Sequence, residues 1–322
     1  MAAVRKTGKK EEKYRVPRVT WKKDFKRNWA VYLMFVPALV YMLVLNYAPM
    51  VGILMAFENY SPIKGIFGST WVGLQNFVDL FTGEDFPRAL RNTVCIAALR
   101  CTVGFVMPII FAFFLSLVRN KKFKRIVQTF SYMPNFVAAV VVAALVTEFL
   151  SSDGAITMFL SWFGLEKQNW LANNQIPVFW IIYLVQGIWQ SIGWGSIMYV
   201  AAIATVSNDL HEAAAIDGAT RLQRLTRITL PCIMPTIVMM FVINIGTAFV
   251  QGFDGILLLY MPSTYNVADT VYTYTYRMAF GGGGGSNYGL SAASGLFQSI
   301  VATVMLVGSN YISRKKSDMS LF

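Results

Sequence analysis

Long apolar runs separated by short polar segments dominate the chain. A helix rising 1.5 Å per residue needs about 20 apolar residues to cross a hydrocarbon core about 30 Å thick, and six runs reach that length. They lie at about residues 29–57, 89–118, 126–150, 177–206, 235–260 and 294–312. Several contain proline or glycine, which bundled membrane helices tolerate because their neighbours satisfy the freed backbone groups. The pattern predicts an all-α membrane protein with six transmembrane helices.

Positive charge alternates between the polar segments. Of the 28 lysines and arginines, 22 lie in the N-terminal segment, in every second loop and in the C-terminal tail. Loops rich in lysine and arginine stay on the cytoplasmic side, so we predict that both termini are cytoplasmic. The predicted parts are a basic segment (1–28), a first transmembrane helix (29–57), an extracytoplasmic loop (58–88), a core domain (89–312) containing a cytoplasmic loop (207–231), and a cytoplasmic tail (313–322).

The N-terminal segment is too long and too charged to begin a signal peptide, so we expect the first apolar run to be retained as a span. Its stretch 21–27 has two interpretations. It is either a helix on the anionic inner leaflet, with Trp21, Phe25 and Trp29 facing lipid, or a positive tail that only fixes orientation.

Composition agrees with the membrane assignment. Apolar residues make up 56% of the chain and charged residues 14%, whereas soluble domains have about 45 to 50% and about 25%. Three cysteines and one histidine leave no disulfide framework, no metal cluster and no Ser/His/Asp triad. We therefore expect no catalytic residue, no metal and no cofactor in this chain.

Two of the runs place polar and aromatic residues at helical spacing, as a polar path through a membrane requires. Amide groups bind sugar hydroxyls and flat rings stack on sugar rings, so these residue types suit a carbohydrate path. The same residues equally suit hydrogen bonds between membrane helices. The candidates are Tyr183, Gln186, Trp189, Gln190 and Trp194 in the fourth run, and Asn244, Thr247, Gln251 and Asp254 in the fifth.

Three ionisable residues lie at or near membrane depth. We expect Glu148 and Asp254 to lie near the outer ends of their spans, and Arg100 to extend toward the surface or to pair across a subunit interface. They provide little from which to build the carboxylate relay of a proton-coupled carrier. A membrane enzyme, the other alternative, should show a cluster of acidic residues and histidine at the aqueous face.

The cytoplasmic loop 207–231 is predicted to form two short helices. Asp209 and Glu212 resemble a helix start signal, Gly218 suits the left-handed position after a helix, and Thr220 with Gln223 repeats the start signal. Leu222, Leu225 and Ile228 then fall near one face, before Pro231 and Pro235 lead into the fifth run. Two capped helices favour a docking element over an ordinary connector.

The motif Glu212-Ala213-Ala214, followed by Asp217-Gly218-Ala219 and by Leu230-Pro231, resembles the EAA loop of the membrane subunits of bacterial type I ABC importers of the maltose type. Segments around residues 71–77, 252–254, 267–277 and 289–297 are similar to permeases for oligosaccharides and polysaccharide fragments, such as alginate-like ones. Leu225 departs from the pattern, because relatives often have phenylalanine there.

The resemblance implies a permease subunit in the bacterial plasma (inner) membrane that forms half of a carbohydrate path. Its expected partners are a second homologous permease, two ATPase subunits that bind ATP and Mg²⁺, an extracytoplasmic solute-binding protein and the carbohydrate. The sequence agrees that the motor is elsewhere, because it contains no G-x-x-x-x-G-K-[ST] motif. The implied ATPase-coupling residues are Glu212, Ala213, Ala214, Asp217, Gly218, Arg221, Leu230 and Pro231.

Overall fold

The computed structural model describes residues 20–250, 253–281 and 286–317, and the chain divides into two compact units, Met1–Gly52 and Ile53–Phe322. Nearly all of the described part is helical. The helices are α1 (Trp21–Met42), α2 (Gln75–Thr82), α3 (Asp85–Leu99), α4 (Phe105–Leu117), α5 (Lys121–Tyr132), α6 (Ala139–Phe149), α7 (Ala155–Ser161), α8 (Val178–Ala204), α9 (Asn208–Ile216), α10 (Arg221–Arg224), α11 (Leu230–Ala248), α12 (Asp254–Leu259), α13 (Tyr265–Ala268), α14 (Val271–Phe280) and α15 (Tyr288–Ser317). Two short strands, β1 (Glu58–Asn59) and β2 (Thr70–Trp71), pair antiparallel.

The first unit contains α1, which begins at Trp21 and is kinked at Asn28, where φ is −117° and ψ is 21°. The Asp24 carboxylate accepts hydrogen bonds from Asn28 Nδ2 at 2.8 Å and from the Tyr32 hydroxyl at 2.7 Å. The helix therefore starts before the predicted first span, and the kink separates its basic first turns from its apolar part. That the basic turns lie on a bilayer stays a prediction.

Four helical stretches of the described chain are both long and apolar enough to cross a membrane. They are Trp21–Phe57, Asp85–Leu117, Arg221–Ala248 and Tyr288–Lys315. In the second stretch a π-helical turn (Arg100–Gly104) joins α3 to α4 without a break. These stretches overlap the first, second, fifth and sixth predicted spans.

The third predicted span is not a continuous helix. Helices α5 and α6 meet at 99°, with a short 3₁₀ turn (Met133–Phe136) between them. Pro134 has no backbone N–H to donate, and Val137 and Ala138 both take ψ angles of extended backbone, 129° and 140°. Hydropathy does not reveal this bend, because most residues on both sides of the Pro134-Asn135 pair are apolar.

The fifth predicted span is wrong at its end, because α11 stops at Ala248 and a separate helix, α12, begins at Asp254. Phe249 and Phe253 are buried, at 7% and 0% exposure. Both rings are thus packed in the protein interior, and no continuous helix runs to Tyr260 in the described residues. Asp254 consequently shares no helix with Asn244 and Thr247.

Helix α8 has 27 residues and no charged side chain, so it is long enough to cross a bilayer. Two glutamines reduce its hydropathy. Gly193 lets it approach α5 closely, because a Cβ at this position would collide with the Ser131 carbonyl and the Tyr132 ring. The bent pair adds a fifth candidate span, and α8 corresponds to the fourth predicted span in position and length but is less apolar than the other candidates. The total of six and the cytoplasmic position of the termini stay predictions.

Candidate translocation cavity and docking loop

A cavity of about 360 Å³ lies against the middle of α8. Residues from five elements besides α8 reach it, namely the π-helical turn before α4, the bend before α6, α6 itself, α11 and α12. Most of its polar groups are amides and hydroxyls. The lining residues are Arg100, Gly104, Asn135, Ala139, Ala143, Tyr183, Leu184, Gln186, Gly187, Ile188, Gln190, Ser191, Asn244, Asp254, Gly255 and Leu259.

Five of the predicted path residues line this cavity: Tyr183, Gln186, Gln190, Asn244 and Asp254. The amide of Gln186 donates to Gln190 Oε1 at 3.1 Å, and Gln190 Nε2 donates to the Val137 carbonyl at 3.3 Å. The Gln186 Oε1 atom is buried and accepts no hydrogen bond from the described residues. Gln190 therefore joins α8 to the bend, and Gln186 keeps a buried acceptor that no described residue uses.

The structure places three predicted path residues away from the cavity lining. Trp189 and Trp194 are about half exposed, at 49% and 50%, and the Trp194 ring packs edge-on against Phe136 at 5.6 Å. The Thr247 hydroxyl donates to the carbonyls of Ile243 and Asn244 in its own helix. Gln251 lies outside the described residues.

Sequence spacing missed two polar residues of the cavity, Arg100 and Asn135, which come from other elements. Arg100 reaches it from the π-helical turn, with its guanidinium carbon 6.0 Å from the centre of the Phe253 ring. Asn135 comes from the bend, and Asp254 begins α12. Two features of the sequence could have indicated these residues. Arg100 is a charged residue in the middle of one apolar run, and the pair Pro134-Asn135 lies inside another.

At one end of α8 the chain forms the docking loop, defined as residues 207–231. Helix α9 is capped by Ser207, whose hydroxyl accepts from Asp209 N at 3.2 Å. Asp209 was predicted to start this helix, but it lies inside the first turn, because Ser207 already provides the capping oxygen.

Gly218 ends α9 as predicted, with φ of +80°. Gly218 N donates to the Ala215 carbonyl at 3.2 Å, and Ala219 N donates to the Ala214 carbonyl at 2.9 Å. This pair of bonds is a Schellman motif, which needs a left-handed residue at the glycine position. The bend between α9 and α10 is therefore set by one backbone conformation.

Thr220 and Gln223 form the predicted capping box at the start of α10. The helix then continues, because a π-helical turn (Leu225–Thr229) joins α10 to α11, and Pro231 falls in the first turn of α11. The extra residue of a π turn accommodates a proline that would interrupt a regular helix. The expectation of a separate second helix before Pro231 is wrong.

The predicted coupling residues are mostly accessible. Glu212, Ala213, Asp217, Gly218, Arg221 and Pro231 are exposed, whereas Ala214 and Leu230 are half-buried. Sequence reasoning did not single out Ile216, whose side chain is 87% exposed at the tip of α9. An exposed apolar side chain beside a charged rim suits a protein contact.

The segment 267–277, part of the resemblance noted above, forms a buried anchor. Arg277 donates to both carboxylate oxygens of Asp269, at 2.9 and 2.8 Å, and Thr273 Oγ1 donates to Oδ1 at 2.8 Å. Burial lowers the pKa of Arg277, but the hydrogen bond and charge of Asp269 outweigh burial and raise it. Asn92 of α3 donates to the Asp269 carbonyl at 2.9 Å, so the anchor joins α14 to a spanning helix.

Comparison with known proteins gives close relatives over nearly the whole chain. The chain is 38% identical to Protein LplB of Bacillus subtilis (strain 168), covering 94% of each protein. It is also 38% identical to the polygalacturonan/rhamnogalacturonan transport system permease protein YteP of the same organism, covering 91% of this chain and 90% of that protein. A chain in the crystal structure of a bacterial alginate ABC transporter, in complex with an alginate pentasaccharide-bound periplasmic protein, superimposes with a TM-score of 0.84. Its identity is 40%, over 94% of this chain and 99% of that one.

Residues 104–318 match the family described as the binding-protein-dependent transport system inner membrane component. That range includes the docking loop and all of the cavity-lining residues except Arg100. Together with the spanning helices, the match identifies a multi-pass protein of the plasma membrane. The chain belongs to the family of inner membrane permease components of binding-protein-dependent ABC importers.

Proposed function

We propose that this permease subunit forms half of the path of an ATP-driven importer for oligosaccharides or polysaccharide fragments. The main support is the cavity, in which Gln186, Gln190 and Asn244 present amides beside Tyr183 within a membrane domain. Such groups exchange hydrogen bonds with sugar hydroxyls. The cargoes named for two relatives, polygalacturonan or rhamnogalacturonan and alginate, support a carbohydrate.

The docking loop receives a separate ATPase in this proposal. Helix α9 enters a groove of the ATPase, with Glu212 and Arg221 as charged contacts and Ile216 as the apolar contact. The ATPase binds ATP and Mg²⁺, and this chain binds no cofactor. A second, similar permease completes the path, two ATPases drive it, and an extracytoplasmic binding protein delivers the cargo.

The test is reconstitution of the chain with its partner subunits in lipid vesicles. Uronate-containing oligosaccharides, neutral oligosaccharides and amino acids are offered with the binding protein, and ATP hydrolysis and uptake are measured together. We expect uptake of an oligosaccharide that requires both ATP and the binding protein. Uptake without the ATPases, or stimulation by amino acids alone, would overturn the proposal.

A further inference from the structure

A second cavity, of about 410 Å³, lies at the base of the docking loop. It is separate from the translocation cavity, since no residue lines both. Its volume is within the range of small-molecule sites, about 300 to 1,000 Å³. The residues that line it include Leu117, Arg119, Ala204, His211, Arg221 and Arg224.

This basal cavity is strongly positive. Arg119, Arg221 and Arg224 line it, and none of the lining residues in the described part of the chain is acidic. Helices α4 and α8 end here, and each carbonyl end contributes about half a negative charge. The three guanidinium groups exceed that contribution, which leaves a net of about two positive charges.

The Arg224 side chain is fixed by a hydrogen bond at one nitrogen, and another of its nitrogens has no hydrogen-bond acceptor. Its Nη1 donates to the His211 carbonyl at 3.2 Å, which fixes the guanidinium against α9. Its Nε is buried and has no hydrogen-bond partner among the described residues. A buried donor without an acceptor is unfavourable, and an arginine fork matches the oxygens of a phosphate group.

The position of the cavity indicates where such an anion comes from. It lies where α4 and α8, which belong to the membrane bundle, reach their ends at Leu117 and Ala204. The ends of spanning helices lie at the level of the lipid headgroups, where basic pockets bind anionic lipids. Of the residues that we assign to the ATPase contact, Glu212 and Ile216 do not line this cavity, whereas Arg221 lines it.

We propose that the basal cavity binds a phosphate group through Arg119, Arg221 and Arg224, supplied by the headgroup of an anionic phospholipid or by free phosphate. The bound group supplies the acceptor that Arg224 Nε lacks. It also links the end of α4 to α9 and α10, and so stabilises the base of the docking loop.

The experiment uses the complete purified transporter in nanodiscs of phosphatidylcholine. One arm adds phosphatidylglycerol to the discs, and the other adds inorganic phosphate to neutral discs. Retained lipid is counted by native mass spectrometry, and the Tm is measured in each condition. We expect phosphatidylglycerol to be retained and to raise the Tm. Arg119→Gln and Arg224→Gln should each weaken its binding about fivefold.

Arg227→Gln is the matched control, because Arg227 is an exposed arginine of the same loop that does not line the cavity. It should bind lipid like the wild type. Arg224→Gln also removes the hydrogen bond from Arg224 to α9. Arg119 is exposed just after the end of α4, so Arg119→Gln tests lipid binding without disturbing that bond. A response to inorganic phosphate alone would identify free phosphate as the ligand.

Two results would overturn the proposal. The first is that Arg119→Gln and Arg224→Gln match Arg227→Gln in both lipid retention and Tm, with no response to inorganic phosphate. The second is that a photoreactive residue at position 119 cross-links to the ATPase rather than to lipid, which would make the cavity part of the protein contact.

Discussion

Gln190 shows how one side chain serves both packing and a ligand. Its amide donates to the Val137 carbonyl in the bend and accepts from Gln186, and it also lines the cavity. An amide has two donors and two acceptor sites, so these bonds leave capacity for a sugar hydroxyl. At this position the contact between α8 and the bend is observed, and the role in a sugar path stays a prediction.

We expect Gln190→Ala and Asn244→Ala each to lower oligosaccharide uptake about twofold to tenfold, the effect of losing one hydrogen bond worth about 0.5 to 1.5 kcal/mol. Assembly and basal ATP hydrolysis should remain. Uptake is measured in reconstituted vesicles and divided by the amount of assembled complex. Thr247→Val is the control, because the Thr247 hydroxyl already bonds to its own helix. Poor assembly with normal uptake per complex would mean that these residues only join helices.

Substitutions at Gly218 test the effect of backbone strain alone, without a steric collision. A Cβ there would meet nothing within 4 Å, so the cost of a substitution comes only from the φ of +80°. A β-branched residue pays about 1 to 2 kcal/mol in this conformation, whereas asparagine tolerates it better. We expect Gly218→Val to reduce uptake and sugar-stimulated ATP hydrolysis in vesicles, and Gly218→Asn to retain most of both. Equal activity of the two variants would show that transport does not depend on the bend at Gly218.

Sequence spacing found the cavity residues of a single helix and missed those that tertiary packing supplies. Tyr183, Gln186 and Gln190 repeat at helical intervals, so a pattern reveals them. Arg100 and Asn135 reach the same cavity from two other elements, and no periodicity connects them. Trp194 shows the reverse error, since it shares the spacing but packs against Phe136.

At the scale of elements, two glycines of α8 differ in whether they permit close approach to another helix. Gly193 faces the Ser131 carbonyl of α5, whereas Gly187 lines the open cavity, where an added Cβ would meet no atom within 4 Å. The hydropathy pattern showed neither this crossing nor the 99° bend beyond it. Both arise from local backbone chemistry that leaves apolar periodicity unchanged.

Gly193→Ala is expected to lower the Tm of the purified transporter, because either α5 or α8 must shift to relieve the collision, and overpacking typically costs about 1 to 3 kcal/mol. Gly187→Ala adds the same methyl group to the same helix and should leave the Tm unchanged. Differential scanning fluorimetry in detergent compares them. A Tm of Gly193→Ala equal to that of the wild type would contradict the close crossing.

The Asp269–Arg277 anchor should be the costliest polar contact to break. The Asp269 side chain is fully buried and that of Arg277 is 16% exposed, and removing one partner of a buried pair costs about 3 to 5 kcal/mol. We expect Asp269→Asn to lower the Tm strongly. Asp85→Asn breaks the exposed pair with Arg88 and should cost at most about 1 kcal/mol. Similar Tm values for the two variants would show that the anchor contributes little.

At the scale of the whole molecule, the fold class followed from apolar run length, and the orientation rests on charge alone. Single cysteines test the orientation in a chain whose Cys95, Cys101 and Cys232 are replaced by serine. Gly83→Cys should react with a membrane-impermeant maleimide added outside intact cells, and Ser317→Cys only after permeabilisation. The opposite pattern would reverse the predicted topology.

The unbroken helix from Arg221 to Ala248 gives the molecule a lever. Asn244, on the cavity wall, lies about 35 Å along this rod from Arg221, at 1.5 Å per residue. Beyond the π turn (Leu225–Thr229) this rod is the single helix α11, so we expect a rotation imposed at Leu230 to turn the cavity wall with it. The π turn near the base of this helix contains one extra residue per turn. A change of helical pitch is therefore absorbed there before it strains the cavity wall.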